Sequence, residues 1–589
     1  MSDLINLKQP PVSIESFEKM IQGNYYFVDK TDFIKYYIEK STDVTLFTRP
    51  RRFGKTFTMS MLKAFFEINY SNPSDKSKTI SLFKDTKIFK DQNLCQKHMG
   101  NYPVFSFTFK GIGLNSFEED VSLIKGILSD EIGKYSHLFT SDKVNQNSLD
   151  LYNEFRTTSD PAQIALIVKT ISHILYDLTG KKCIIICDEY DVPLENARKK
   201  DYYSQMLSFI KVLFEQTFKT NDFLEKGIIT GCLKIAKASI FTGFNNFTTH
   251  SVLEKSNFNE YFGFTHDEVC SMLEYYKLEK YKNLAFENYN GYNFFGTSVV
   301  CPWDVVNFCN DIICNIKRQN YFYWKNSSSN SIVQDLIKSI DNKQTANTIL
   351  SHLSDLIKQK SIKAKISDDI TYTTIAKGIN NENLDTIWSV LLSTGYLTIA
   401  NNTSEPEDNI YELKIPNKEV LDCYNTTISN YFDRTNTVYV NKCQNIVESI
   451  KNGNDKLTGR LLSHLLNQYC SLKDFAINAP RENYYQGFFN GLFTASDDFV
   501  QNYKSNLESG NGYADITFSY TSDLDDIGVI IEIKIADSNK LSALTRACDE
   551  ALNQIKEMHY EKIYEDTRIS KVKKIGIAFF NKECMVKTL

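Results

Sequence analysis

The chain has 589 residues, of which 42% are hydrophobic and 24% are charged. That length exceeds what one hydrophobic core supports, and the composition is that of folded globular proteins, which disfavours disordered and membrane-spanning classes. A formal charge of −5 excludes a general basic coat for nucleic acid, so any such contact must be local. No signal peptide or membrane-spanning run is predicted, and we expect a cytoplasmic protein with no membrane partner.

Strands and helices alternate in the first part of the chain. A β-prone run at 43–48 is followed by a glycine turn and by apolar residues at helical spacing over 57–68. Further strands are predicted at 104–109, 183–187 and 227–230. The run at 183–187 is continuously apolar, as in a buried parallel strand. This order predicts an α/β fold with a parallel sheet and helices on both faces.

The turn after the first strand has the residues of a phosphate-binding loop. Such a loop needs backbone N–H groups at a helix N-terminus, a lysine that reaches the terminal phosphates and a hydroxyl for Mg²⁺. The full pattern also asks for glycine five residues before Gly54, where Arg49 stands, so an ordinary helix start gives the same short motif. We predict an ATP and Mg²⁺ site formed by Arg52, Phe53, Gly54, Lys55 and Thr56.

An acidic strand end supplies the partner of this loop. The apolar run at 183–187 continues into Asp188 and Glu189, at the carboxyl end of a strand, where open α/β sheets bind ligands. Asp188 is predicted to hold Mg²⁺ with Thr56, and Glu189 to activate or orient the attacking water. Two solvated acids closing a strand would also explain the pair, but the two motifs together favour nucleotide binding.

Several polar residues near the loop have two interpretations. Thr230, at the end of the next strand, is either a sensor of the γ-phosphate or a strand-end hydroxyl. Arg49, Arg51 and Arg52 either neutralise phosphate charge, in this chain or in a neighbouring subunit, or form a solvated basic turn. If these arginines act on the nucleotide of a neighbouring subunit, the protein is a homo-oligomer; the sequence does not decide between this interpretation and a monomer.

The rest of the chain divides into a mostly helical middle region and a C-terminal α/β region. Helices dominate from about 264 to about 392, and a turn at Gly395 leads into short strands up to 415. From 437 helices precede Glu482. The predicted C-terminal elements are strands at 513–520 and 528–535, joined by an acidic turn, a helix at 541–558 and a strand at 574–580.

Three residues of the C-terminal region match the needs of a Mg²⁺-dependent nuclease, which are carboxylates that hold the metal and a nearby lysine. Glu532 and Lys534 are two apart on one strand and project from the same face, and a hairpin would bring Asp515 beside them. Asp515 and Glu532 are the predicted metal ligands. A surface ion pair between Glu532 and Lys534 is the alternative. However, both lie in an isoleucine-rich central strand, where unpaired charges are disfavoured unless they are functional.

The N-terminal motifs, in this order, resemble the AAA-ATPase-like family of P-loop proteins. The similar stretches are YYFVDKTDFIKYYI, TLFTRPRRFGKT, IIICDEYDVP and TGCLKIAKASIFTGFNNF, and they cover roughly the first half of the chain. That family also tolerates arginine at the first glycine position of the P-loop. The resemblance supports Lys55, Thr56, Asp188 and Glu189 as residues of the nucleotide site. Lys234 departs from the family, which usually has arginine there.

The C-terminal motifs resemble PD-(D/E)xK nucleases of the branch commonly fused to AAA-ATPase-like domains. The similar stretches are GNGYADITF and VIIEIKIA, with Ala514 where a proline usually precedes the first acid. The resemblance implies a restriction-endonuclease-like α/β fold. It also implies that Glu482, in RENYYQGFFNGLF, is a further catalytic residue, and it places Gln554 on the helix where such enzymes often carry glutamine.

Together these features predict an ATP-binding and ATP-hydrolysing protein coupled to Mg²⁺-dependent cleavage of nucleic acid, either DNA or RNA. One alternative is a nucleotide-dependent switch whose C-terminal domain binds nucleic acid or a partner without cleaving it. Another is an ATPase with a structural or oligomerisation module. The predicted domains are an AAA-ATPase-like P-loop NTPase domain at 1–260, a helical lid with a winged-helix region at 261–436 and a nuclease-like domain at 437–589.

Overall fold

A computed structural model of the chain describes most of its length. The described residues are 7–139, 142–198, 200–234, 240–241, 247–318, 320–324, 349, 352–353, 355–367, 384–400, 407–425, 437–469, 481–494, 500–509, 512–522, 525–565 and 567–589. The chain folds into two compact units, one of Met1–Thr345 with Lys358–Asp422 and the other of Ala346–Ile357 with Cys423–Leu589. The predicted domain boundaries at 260 and 436 stay predictions.

The first unit contains a five-stranded sheet, within the described residues, whose neighbouring strands are all parallel. Its strands are β1 (Val44–Thr48), β2 (Val104–Thr108), β3 (Cys183–Asp188), β4 (Leu224–Gly231) and β5 (Phe247–His250). Their order across the sheet is β2-β3-β4-β1-β5. Every residue of β1 and β3 is buried, and successive side chains point to opposite faces, so both faces of the sheet centre are covered.

Helices are the other main element of this unit in its described part. None of the described helices in the chain combines the length and the apolar character needed to cross a membrane. The helices of the first unit are α1 (Phe17–Gln22), α2 (Asp32–Lys40), α3 (Lys55–Phe66), α4 (Ser77–Phe83), α5 (Gln92–His98), α6 (Phe117–Gly133), α7 (Gln146–Thr157), α8 (Pro161–Ile164), α9 (Ile167–Thr179), α10 (Val192–Ala197), α11 (Tyr203–Phe214), α12 (His266–Tyr275), α13 (Lys282–Tyr289), α14 (Pro302–Ile313) and α15 (Leu384–Thr394).

The predicted parallel α/β sheet is confirmed, with two differences. Helix α3 begins at Lys55, two residues before the predicted start, because the turn at Gly54 leads directly into the helix. The edge strand β5 was not predicted. Its residues Phe-Thr-Thr-His are only half-buried and show no continuous apolar run, so the pattern that marks a buried strand is absent.

The mostly helical middle region also carries small antiparallel sheets. Strands β6 (Tyr292–Phe294) and β7 (Thr297–Val299) form a hairpin. A second sheet has the order β8-β10-β9, built from β8 (Ile362–Lys365), β9 (Thr398–Ile399) and β10 (Ile410–Lys414). Strands β9 and β10 follow the predicted turn at Gly395, whereas β8 precedes it. The stretch NSSSN at 326–330, whose composition is typical of a loop, lies outside the described residues.

The second unit contains a five-stranded mixed sheet in the part of the chain that is described. Its strands run in sequence order and are β11 (Gln501–Ser509), β12 (Gly512–Thr521), β13 (Asp526–Ile535), β14 (Lys571–Phe580) and β15 (Glu583–Thr588). Only the β13–β14 pair is parallel among these neighbours. Its helices are α16 (Thr437–Lys451), α17 (Asp455–Tyr469), α18 (Arg481–Thr494) and α19 (Leu541–Glu557).

Helix α19 crosses from β13 to β14 and packs on them through a buried apolar stripe. The predicted hairpin, helix and final strand are confirmed here, but β11 and β15 were not predicted. At Gly576 in β14 a Cβ would stand 2.5 Å from the backbone oxygen of Cys548, so glycine is what permits the helix to approach the strand so closely.

Gly576→Ala is therefore expected to lower the free energy of unfolding of the second unit by about 2 kcal/mol, because α19 must move away from the sheet. Gly487→Ala is the matched control, since a Cβ at this helical position meets no atom within 4 Å. The control should leave stability unchanged or raise it by up to about 1 kcal/mol. Calorimetric unfolding of both variants checks this, and equal midpoints would contradict it.

Candidate functional site

A cavity opens at the edge of the parallel sheet where the carboxyl ends of its strands meet the start of α3. In open α/β sheets this edge is where ligands bind. The cavity volume is about 740 Å³, within the range of small-molecule sites. It is lined by the loop and helix start at 51–58, by Lys110 and Gly111 after β2, and by Glu189 after β3.

Gly54 gives the predicted phosphate loop its shape. Its backbone is left-handed (φ 78°), a conformation that glycine adopts without steric cost, and no side chain caps the first turn of α3. The N–H groups of that turn are thus suited to an anion. The ammonium group of the buried Lys55 donates hydrogen bonds to the carbonyl oxygens of Arg49 (2.9 Å) and Pro50 (2.8 Å), which folds the lysine back along the loop.

The buried Asp188 carboxylate joins the loop to the sheet. It accepts a hydrogen bond from the Thr56 hydroxyl (2.6 Å) and a second from the Thr230 hydroxyl. The structure therefore places Thr56 and Asp188, the predicted Mg²⁺ ligands, in direct contact, and their hydroxyl and carboxylate oxygens are the donors that Mg²⁺ prefers. Thr230, near the end of β4, thus contacts the same carboxylate as Thr56, and its role as a phosphate sensor or as a strand-end hydroxyl stays a prediction.

Glu189 follows Asp188 on a strained stretch of backbone. Its φ of 55° is left-handed, which costs a non-glycine residue roughly 1 kcal/mol. Burial, with the neighbouring Asp188 charge, raises the pKa of the Glu189 carboxyl. Such strain at a cavity wall, in a carboxyl made more basic, is typical of a group placed to accept a proton.

Arg49 fits neither prediction made for it, since it lies in the core and touches neither solvent nor the cavity. Its guanidinium donates hydrogen bonds to the carbonyls of Thr48 (2.8 Å) and His250 (2.6 Å) and to the side chain of Asn259 (2.7 Å). It also lies over the Phe262 ring, 5.1 Å from its centroid. The residue in the first glycine position is a structural clamp between β1 and β5, and burial lowers its pKa to about 9.

Arg51 and Arg52 line the cavity, yet both have partners in the protein. Arg51 donates to both carboxylate oxygens of Glu195 (2.8 and 3.1 Å), and the Arg52 guanidinium lies 3.8 Å from the centroid of the Trp303 ring. Phe53 packs its ring against the β6–β7 hairpin, so we expect its contact with a phosphate to come from the backbone N–H. Lys234 lies 3.5 Å from Glu254 and lines a separate small cavity.

Sequence reasoning missed the apolar half of the cavity. The segments before α1, α2 and α12 and the start of α14 form this wall, and apolar side chains of this kind are typical of small-molecule sites. In the sequence, the local signal for this wall is the aromatic and aliphatic run at 25–28, which precedes α2. The lining residues of this wall include Ile14, Tyr26, Phe27, Phe264, Trp303 and Val306.

A second cluster lies in the C-terminal sheet. Asp515 on β12 accepts a hydrogen bond from the backbone N–H of Ile533 (2.8 Å), so its carboxylate reaches the stretch between Glu532 and Lys534 on β13. The Lys534 ammonium group lies 3.5 Å from a carboxylate oxygen of Glu532. The structure thus brings Asp515, Glu532 and Lys534 together, as the hairpin predicted.

Glu532 is the most deeply buried of these three residues. It is 2% exposed, and its Oε2 atom has no hydrogen-bond partner among the described residues. Burial, then the Asp515 charge, raises the pKa of the carboxyl to about 8. A buried, unpartnered carboxylate oxygen beside a second carboxylate fits a divalent cation, although no group of three or more acidic, His or Cys side chains with metal geometry occurs among the described residues.

The resemblance to nucleases implied two further residues, and the structure describes the side chain of one of them, Gln554. Glu482 lies in α18, and its side chain is outside what the structure describes. Gln554 on α19 donates a hydrogen bond to the Tyr560 hydroxyl (3.2 Å). Tyr560 is in turn close enough to Glu532 and Asp515 for their charges to raise its pKa, after burial, so Gln554 borders the cluster through this tyrosine.

Two families of known proteins match parts of the chain. A family model described as Predicted AAA-ATPase matches residues 11–241, and one described as PD-(D/E)XK nuclease superfamily matches residues 480–589. The chain combines an AAA-ATPase-like domain with a PD-(D/E)XK nuclease-superfamily domain. The first match contains the residues from Pro11 to Cys232 that line the cavity beside Gly54. The second match contains the cluster of Asp515, Glu532 and Lys534.

A relative from Azotobacter chroococcum mcd 1, described as an uncharacterized protein in the vnfD 5′ region, is 25% identical over 334 residues. The match covers 56% of each chain, so this chain spans little more than half of that relative. A solved Signal Transduction ATPase with Numerous Domains (STAND) protein with a tetratricopeptide repeat sensor, from Pyrococcus horikoshii, is 12% identical. That match covers 80% of this chain and 54% of the other, with a TM-score of 0.22.

Arg49→Met should lower the free energy of unfolding of the first unit by about 3 kcal/mol, because two buried acceptors and one half-buried acceptor lose the donor that Arg49 supplies. Arg49→Lys should rescue little, since an ammonium group cannot span those acceptors as a planar guanidinium does. Thermal unfolding measures both. The control Arg546→Met removes a largely exposed ion pair and should leave the thermal unfolding midpoint almost unchanged. If Arg49 instead binds phosphate and has no structural role, Arg49→Met should leave the stability of the ligand-free protein unchanged.

Mg²⁺ binding to the second unit should tighten as pH rises from 6 to about 8 and then level off. Below its raised pKa of about 8, Glu532 carries a proton that the metal must displace. One displaced proton corresponds to roughly tenfold in affinity per pH unit. Calorimetry in buffers of different ionisation enthalpy would detect the released proton. Glu532→Gln should abolish both binding and release, whereas the exposed Glu557→Gln should preserve them; pH-independent binding would contradict the assignment.

Proposed function

We propose that the chain hydrolyses ATP in its first unit and cleaves phosphodiester bonds of nucleic acid, with Mg²⁺, in its second. The observation that carries the nuclease half is the placement of Asp515 and Lys534 beside the buried Glu532, whose Oε2 atom lacks a hydrogen-bond partner among the described residues. The ATPase half rests on Lys55, Thr56 and Asp188 at one cavity wall. Both proposals agree with the two matched families.

In the ATPase reaction, water attacks the terminal phosphorus of ATP, and the bond to the oxygen bridging to ADP breaks. Lys55 exchanges its two carbonyl partners for phosphate oxygens and neutralises their charge. Glu189 orients the water and takes up its proton, for which its raised pKa is suited. Mg²⁺, held by Thr56 and Asp188, supplies further neutralisation of phosphate charge when bound.

In the nuclease reaction, water attacks the phosphorus of a phosphodiester and one P–O ester bond breaks. The water loses a proton to solvent and the leaving oxygen gains one from solvent, so the products are a phosphate monoester and a free hydroxyl. Asp515 and Glu532 hold the metal, and Lys534 orients the water and neutralises charge that develops on the phosphate. Mg²⁺, when bound, supplies Lewis-acid activation of the phosphate. Either DNA or RNA satisfies this chemistry, since the cluster contacts only the backbone phosphate in the proposed reaction.

A nucleotide-dependent switch with a non-cleaving C-terminal domain is the second candidate. One observation favours it: Lys534 pairs with Glu532, and no third acidic side chain joins the two carboxylates among the described residues. In that case the second unit binds nucleic acid or a partner without hydrolysis. The two candidates agree on ATP binding and differ in cleavage.

Full-length protein should be incubated with single- and double-stranded DNA and RNA, with Mg²⁺ and with or without ATP. We expect cleavage that falls at least about 100-fold in Glu532→Gln and Lys534→Ala, because each removes a group that acts on the reacting phosphate. Lys55→Ala should lose ATP turnover in a phosphate-release assay. The substitutions act in different matched domains, so each activity has its own variant.

The controls Glu557→Gln and Lys556→Ala change exposed residues of α19 by the same chemistry and should retain cleavage. Absence of cleavage by wild-type protein on every substrate, with ATP turnover intact, would favour the switch. Cleavage that persists in Glu532→Gln would point to a contaminating nuclease and reject the proposal. Turnover of ATP in Lys55→Ala would reject the assignment of the P-loop.

A further inference from the structure

The cationic side chains that line the nucleotide cavity differ in how firmly they are held. Apart from Lys55, three of them have partners that are themselves buried or half-buried. These three are Lys30, 2.7 Å from Glu268, Arg51, bound through two bonds to Glu195, and Arg52, stacked on Trp303. Redirecting any of them toward a ligand would leave a partner without its cation inside the protein.

Lys110 differs from these three. Its ammonium group binds both carboxylate oxygens of Glu15 (2.8 and 3.0 Å), but the two side chains are 54% and 60% exposed. An ion pair so open to water contributes at most about 1 kcal/mol. An anionic ligand in the cavity can therefore displace Glu15 from Lys110 with little loss of stability.

The backbone places Lys110 beside the acidic strand end. Thr108, the last residue of β2, pairs in register with Asp188, and the N–H of Phe109 donates to the Asp188 carbonyl (3.0 Å). The hydroxyl of Thr108 accepts a hydrogen bond from the backbone N–H of Lys110 (3.1 Å). This bond fixes the backbone of Lys110 next to the end of β2. The Glu15 bond is the main cause of the raised pKa of Lys110, and the charges of Glu189 and Asp188 add to it.

Glu15 belongs to the segment just before α1 and lines the same cavity. The pair thus bridges the N-terminal segment and the end of β2 across the cavity. The terminal phosphate of ATP is proposed to react beside Asp188 and Glu189. Because the charges of these two residues act on Lys110, the Lys110 ammonium group is also close enough to interact with that phosphate. ADP lacks this phosphate and would offer Lys110 no anion at that position in place of Glu15.

We propose that Lys110 is a further catalytic residue, which leaves Glu15 and contacts the terminal phosphate of ATP. This inference rests on the proposed ATPase. As water attacks the phosphorus and the bond to the bridging oxygen breaks, the ammonium group stabilises the negative charge on the non-bridging oxygens, while Glu189 takes the proton from water. Release of Glu15 also makes the N-terminal segment respond to the presence of the terminal phosphate.

The test compares full-length wild type with Lys110→Ala, Lys110→Arg and Glu15→Gln. Lys110→Ala should lower kcat on the order of 100-fold, while KM changes less than kcat, because the contact is strongest in the transition state. It should also reduce the ratio of ATP to ADP affinity, measured by calorimetry with Mg²⁺. Lys110→Arg should restore part of kcat. Glu15→Gln should tighten ATP a few-fold and leave ADP affinity unchanged.

Lys78→Ala and Glu18→Gln are matched controls, since they break another exposed ion pair at the same N-terminal helix, and neither residue lines the cavity. Both should behave as wild type. If wild-type protein turns over ATP and Lys110→Ala keeps its kcat and its ATP-to-ADP ratio, the role of Lys110 is rejected while the ATPase stands. If the wild type turns over no ATP, the proposed ATPase itself is rejected.

Discussion

The hydrogen bonds that Asp188 accepts from two threonine hydroxyls fix the geometry of the sheet edge at which the cavity opens. Because Thr56 lies in the first turn of α3 and Thr230 in β4, one carboxylate joins three elements where the P-loop opens. A buried carboxylate is unfavourable unless it is hydrogen-bonded, so burial of β3 itself demands these partners. The same oxygens are suited to Mg²⁺. Asp188 therefore holds three elements together in the structure and is also the proposed ligand of Mg²⁺.

The arginine-rich turn serves packing as much as charge. Arg49 clamps the sheet, and Arg52 attaches the turn to Trp303 in α14, so the nucleotide cavity is closed by the middle region of the first unit as well as by the sheet. Behind Trp303, the indole N–H of Trp324 donates to the buried Asp304 (3.1 Å), whose pKa burial raises to about 6. Lys55 and Lys110, whose partner Glu15 is exposed, are the two cavity cations that we propose contact phosphate.

Desolvation has the same consequence in the two proposed sites. Glu189 and Glu532 each lie at a strand of a buried sheet beside an aspartate, and burial raises the pKa of each carboxyl. A proton acceptor gains from this directly, because it then holds a proton more tightly. A metal ligand must first lose its proton, so metal binding at Glu532 becomes linked to pH.

The sequence by itself determined the elements whose signals are local. Apolar spacing and one glycine predicted the strand, loop and helix around Gly54, and the two-residue spacing of Glu532 and Lys534 placed both on one face of a strand. Tertiary structure decided the rest. Edge strands such as β5 lack the apolar runs of buried strands, and Arg49 and Lys110 have their roles set by partners about 200 and 95 positions away in the chain. Spacing along a sequence carries no information on such contacts, because burial and charge pairing depend on which distant elements the fold brings together.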